Sequence, residues 1–186
     1  MKTLIFGVLT LFQISALGQN LLTNGTFDSD VSDWFGAPTV YSWSDTMGGP
    51  ISGAGSVYME KEIINNNRIF GISSSRVAVN ENDTYWFAGM GYIPSSSSAF
   101  RAWARVTWYD AKGTNLTSPS IFDFSFPTDV WAPVEGSVTA PEGAVEAGIA
   151  INIESDAPPK GETFLSFGYW DDVYFFEDTI FRSNFD

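Results

Sequence analysis

Two arginines and two large aromatic residues share one side of the alternating stretch Phe100–Gly113. That side is Arg101, Trp103, Arg105 and Tyr109, with Thr107 among them; the other is Phe100, Ala102, Ala104, Val106 and Trp108. The apolar side is expected to be core. The mixed side offers flat rings, fixed cations and hydroxyls, a combination that can hold a sugar chain. Its C–H faces stack on aromatics, and its hydroxyls or acidic substituents need paired donors and acceptors. The same alternation from Val145 points Ile149, Ile151 and Ile153 one way and Ala150, Asn152 and Glu154 the other. Asn152 and Glu154 thus join Arg101, Trp103, Arg105 and Tyr109 as candidate ligand-binding residues. Trp103 and Tyr109 would lie about 20 Å apart on an extended strand, which suits an extended polymer better than one sugar, and the arginines favour an anionic one. The competing reading is plain packing, with both aromatics under a neighbouring loop and the arginines solubilising the face.

The chain has no histidine and no cysteine. That removes Ser-His-Asp and Cys-His nucleophiles, histidine zinc sites and disulfides. Carboxylate chemistry survives in 22 Asp and Glu residues, since a glycosidase needs only two acids at a set separation, but none sits in a recognisable catalytic motif. Arg101, Arg105 and Tyr109 keep a polysaccharide lyase in view. The expectation is a non-catalytic protein. Asp171-Asp172, with Asp28 near the other end of the chain, is the strongest metal constellation, and its hard oxygens suit calcium. The alternative is that these acids serve turns or face solvent.

Positioning these groups falls to one domain, because 186 residues with 44% apolar and 16% aromatic content support a single core. Residues 1–18 carry Lys2, an apolar run from Leu4 to Leu17 and small residues at 16 and 18. They read as a secretory signal peptide, leaving a β domain over 19–178 and a tail over 179–186. Removing Lys2 with the leader leaves eight Lys and Arg against 22 acids, a net charge of −14. That excludes the clustered cations nucleic acid needs, and no other run is long and apolar enough for a membrane helix. Strand-like stretches follow at Ser56–Ile64, Arg76–Asn80, Thr84–Tyr92, Phe100–Tyr109, Ile121–Phe126, Val134–Val138, Val145–Ile153 and Thr163–Glu177. Turn residues separate them, and helical period is absent. This predicts an all-β, two-sheet antiparallel sandwich of about eight to ten strands. Tyr41 and Trp43 fall in a loop or edge strand. Trp34 and Trp131, each flanked by turns, are expected in the core. Asn24, Asn82 and Asn115 each begin an Asn-x-Thr sequon.

Four landmarks carry a family resemblance. They are Asn20-Leu-Leu-Thr-Asn-Gly-Thr-Phe-Asp28 followed by Trp34, the turn Tyr109-Asp-Ala-Lys-Gly113, Ala140-Pro-Glu-Gly-Ala144 before a strand, and Trp170-Asp171-Asp172-Val173. In that order they resemble the galactose-binding-like jelly-roll carbohydrate-binding modules, a family of secreted, chiefly bacterial proteins. The resemblance spans roughly Asn20 to Glu177 and implies a jelly roll, a glycan partner and an extracellular location. It also implies a structural calcium between Asp28 and Asp172, with aspartate at 28 where glutamate is usual. Two functional classes stay open: a non-catalytic polysaccharide-binding protein, and a structural or adhesive surface protein whose tail or edge strand makes the contacts.

Overall fold

The computed structural model describes residues 19–36, 40–53, 55–64, 68–122 and 127–178. The expected leader at 1–18 and tail at 179–186 lie outside them, and the strand expected over 121–126 is described only as far as Phe122. All the regular structure described is strand: β1 (Trp34–Phe35), β2 (Tyr41–Ser44), β3 (Ser56–Ile64), β4 (Ile69–Ser74), β5 (Val77–Ala78), β6 (Thr84–Tyr92), β7 (Ala99–Tyr109), β8 (Asn115–Thr117), β9 (Ser120–Phe122), β10 (Trp131–Thr139), β11 (Glu146–Ser155) and β12 (Thr163–Glu177). One sheet runs β1-β4-β11-β7-β8, with β5 pairing β11 and β9 pairing β7; the other runs β10-β6-β12-β3-β2. All strand pairs are antiparallel. The result is the expected β-sandwich jelly roll. Among the described residues no helix is long and apolar enough to cross a membrane.

Alternation explains why the sheets pack. Ala102, Ala104, Val106 and Trp108 on β7 and Ile149, Ile151 and Ile153 on β11 are all fully buried, facing Tyr85, Phe87, Trp170 and Phe175 of the second sheet. Tyr85 stacks on Phe175 at 5.2 Å and 16°, and Trp108 closes on both rings. Phe100, expected on the core side, is 41% exposed. The cause is a slip in the ladder: Arg101 pairs Glu154 while Ala99 pairs Ser155, so Phe100 has no partner and turns outward.

The turn residues do what their chemistry predicts. Asn24 takes φ 50°, and a Cβ on Gly25 would sit 2.0 Å from the Val173 carbonyl oxygen, so only glycine fits there. In the 109–113 turn, Asp110 accepts the amides of Lys112 and Thr114 at 2.9 and 2.8 Å, and Gly113 takes φ 78°. Trp34 is buried at 2% exposure, packs on Phe27 at 5.3 Å and donates to the Asn24 carbonyl. Trp131 is not core. With Ala132 and Val134 pointing inward, it falls on the outer face of β10 and is only half-buried.

Candidate functional site

The six residues singled out from sequence come together on the outer face of the seven-stranded sheet. Across β7 and β11, Arg101 stands opposite Glu154, Trp103 opposite Asn152, Arg105 opposite Ala150 and Tyr109 opposite Glu146. Strands β4 and β9 extend these rows, with Gly71 beside Asn152, and Phe122 and Ser120 beside Trp103 and Arg105.

Their chemistry differs from an open aromatic platform. Trp103, Asn152 and Glu154 are each 7% exposed. Asn152 lies flat because a Cβ on Gly71 would meet its Oδ1 at 2.6 Å, and its Nδ2 donates to the Trp103 and Ala150 carbonyls. The Arg101 guanidinium is paired to the Glu154 carboxylate across the strands. Tyr109 is covered by the Arg76 guanidinium, 3.6 Å from its ring centroid, and lies beside Gly148, where a Cβ would meet its Cε2 at 3.5 Å. Arg76 is itself paired to Glu146 at 3.2 Å. The expected pair of sugar-stacking rings at Trp103 and Tyr109 is therefore corrected: one is sunk in the sheet and the other is capped by a cation. Arg105 is exposed and forms no salt bridge among the described residues. It is the open cation of this face.

The acidic constellation is built differently from a metal site. The loop between β2 and β3 folds onto a bulge in β12, where the pairing slips between Asp171 and Tyr174 and Asp172 takes φ 52°. The Gly49 amide at 2.6 Å and the Ser52 hydroxyl at 2.9 Å both donate to Asp171 Oδ2, and the Asp172 amide donates to Oδ1. The Ile51 and Ser52 amides donate to the two oxygens of Asp172 at 3.0 and 2.9 Å. Every carboxylate oxygen of the pair is thus already accepting. Burial outweighs these donors at Asp171 and pushes its carboxyl up to about 6.

Asp28 is exposed, and among the described residues no group of three or more acidic side chains could hold a metal ion. Inward-pointing N–H groups suit anions and repel a cation. A calcium ion between Asp28 and Asp172, as the resemblance implies, would have to share the Asp172 carboxylate with the Ile51 and Ser52 amides.

Sequence reasoning missed a second constellation on the outer face of the five-stranded sheet. Tyr58, Tyr169, Tyr92 and Trp131 stand in direct register on β3, β12, β6 and β10. Each occupies an outward position by strand parity, the one sequence signal that could have found them. Their mutual register comes only from the fold.

No protein-family sequence profile matches the chain, and no curated protein matches it. Solved structures do. The xylan-binding CBM22-1 domain of Paenibacillus barcinonensis Xyn10C superimposes with a TM-score of 0.60 at 14% identity, over 87% of this chain and 96% of that one. Family 16 carbohydrate-binding module 2 gives 0.57 at 18%, over 84% and 99%. The chain also matches parts of larger proteins, spanning 21% of a bacteriophage CBA120 tailspike chain and 29% of a Clostridium thermocellum xylanase 10B chain that joins CBM22-1 to its GH10 module. The chain shares the two-sheet β-sandwich jelly-roll fold of these carbohydrate-binding modules.

Proposed function

We propose that the chain is a secreted, non-catalytic domain that binds an extended polysaccharide along the outer face of its seven-stranded sheet. Arg105 carries this reading. It is an exposed cation with no salt bridge among the described residues, at the centre of a face whose other charges are paired, in a chain of net charge −13. Such a group makes charge-assisted bonds to a carboxylate or sulfate on a sugar. The buried row of Asn152, Glu154 and Arg101 holds the face rigid beneath it, so little order is lost on binding. Likeness in fold to carbohydrate-binding modules supports the same class of ligand. The lack of histidine and cysteine and the pairing of the buried acids support a binding rather than a catalytic role.

Affinity electrophoresis through gels containing polygalacturonate, a sulfated galactan or neutral xylan tests it. The acidic polymers should retard the wild-type chain and lose most of that effect on Arg105→Ala. Equal mobility of the two proteins in every gel would sink the assignment.

A further inference from the structure

We infer that the aromatic row on the five-stranded sheet is a second glycan-binding surface, one that takes a neutral polysaccharide. Antiparallel sheets that face water on one side normally alternate apolar-in and polar-out. Here four adjacent strands each place an aromatic outward at one level. Tyr58 meets Tyr169 at 5.1 Å between ring centroids, Tyr169 meets Tyr92 at 5.9 Å, Tyr92 meets Trp131 at 5.5 Å, and Phe167 joins Tyr58 at 6.2 Å. With strands about 4.8 Å apart, the row crosses the sheet for about 14 Å. All five residues are half-exposed. Neighbouring planes are inclined by 48–72°, unlike the 16° of Tyr85 on Phe175 in the core, so no ring lies flat on its neighbour. Cross-strand aromatic pairs stabilise a sheet by themselves, but packing alone needs neither three phenol hydroxyls nor exposure. The Tyr58 hydroxyl donates to Glu60, which leaves a carboxylate edge beside the row to accept sugar hydroxyls.

Charge selects the occupant. The outward positions of the five strands carry Glu60, Glu62 and Glu135 and no lysine or arginine. An acidic polymer or an anionic membrane would be repelled. A second copy docking by a two-fold axis would set this acidic rim against itself, in a chain already at −13. A neutral, hydroxyl-rich polymer meets neither obstacle and offers the C–H faces that half-exposed rings stack on. The surface is the outer face of a sheet rather than a cleft, which suits the flat side of an insoluble polymer. This rests on the reading of the chain as glycan-binding but uses the opposite sheet, so the two can fail separately.

Depletion from solution by insoluble cellulose, chitin and xylan provides the test, with sedimentation velocity alongside. At least one of the three should remove the wild-type chain. Tyr58→Thr with Trp131→Thr, strand-forming substitutions at outward positions, should weaken that binding at least tenfold while keeping the wild-type melting midpoint within a few degrees. Arg105→Ala should bind the solid as the wild type does. Removal by none of the three solids, or a folded double variant that binds unchanged, overturns the proposal. A wild-type dimer that the double variant abolishes would also overturn it, by assigning the row to self-association.

Discussion

Replacing Asp172 with alanine isolates what holds the 48–53 loop to β12. The substitution strips the acceptors from two main-chain amides, Ile51 and Ser52. An orphaned donor costs about 1–3 kcal/mol, and the half-open setting of the loop, with Ile51 56% exposed, lets water recover part of it. About 2–3 kcal/mol of destabilisation is expected from the two together. Alanine at φ 52° adds about 1 kcal/mol more, so Asp172→Gly, which tolerates that φ, separates backbone strain from lost hydrogen bonds. For a chain of this size each kcal/mol moves the melting midpoint by about 2–4 °C, so the glycine variant should melt about 4–12 °C below the wild type. The assay is thermal unfolding followed by circular dichroism, in millimolar calcium and in excess chelator. Because amides occupy the carboxylates, the wild-type midpoint should be the same in both. A calcium ion at a hundred times its Kd would instead add about 2.7 kcal/mol, or about 5–11 °C. A wild-type midpoint that falls by that much in chelator, with an Asp172→Gly midpoint that no longer responds, would refute the amide clamp.

Three further outcomes follow from side-chain placement. Trp34→Ala, which empties a site 2% exposed, should cost about 3–5 kcal/mol, whereas Trp131→Ala should cost no more than about 1.5 kcal/mol; urea titration of both decides, and equal losses would put Trp131 back in the core. Gly71→Ala would drive a methyl to 2.2 Å from the Ile151 carbonyl oxygen and 2.6 Å from Asn152 Oδ1, so it should destabilise the chain by at least about 1–3 kcal/mol and weaken retardation by acidic glycans. A wild-type midpoint and mobility would contradict that. Arg101→Met leaves Glu154 buried without its partner and should cost about 3 kcal/mol, the low end for a broken buried pair because Arg101 keeps some solvent contact; the double substitution Arg101→Met, Glu154→Leu should recover most of it.

The sandwich was legible because one face of each long strand is core. Val106 and Trp108 on β7 and Ile149, Ile151 and Ile153 on β11 reveal their period without any partner in view. Trp131 was misplaced because the turns flanking it were weighed above its parity: Val134, three residues on, already fixed the opposite side as the inward one. The bulge that turns Phe100 out leaves no mark on its own strand, because it is a slip against Glu154 and Ser155 on a strand much later in the chain. The acids at 171 and 172 were visible, but the amides of Gly49, Ile51 and Ser52 that occupy them have no side-chain signature. Strand parity put Trp103 and Tyr109 on the correct face. What it could not convey was their openness, since Arg76, which covers Tyr109, and Gly148, which lies beside it, arrive from two other strands or turns.

The position of β12 bears on how the molecule is made. The last of the described strands stands at the centre of its sheet, between β6 and β3. Its far end is also where the beginning of the domain fastens: the Leu21 amide donates to the Phe175 carbonyl, and Asn20 bonds both Val173 and Phe175. Until residue 163 and those after it emerge, β3 and β6 have no common neighbour and the amino-terminal segment has nothing to grip. Closure of this sheet waits on the synthesis of β12 and is gated by contacts more than 150 residues apart along the chain. A premature stop anywhere before Thr163 removes the keystone rather than an edge.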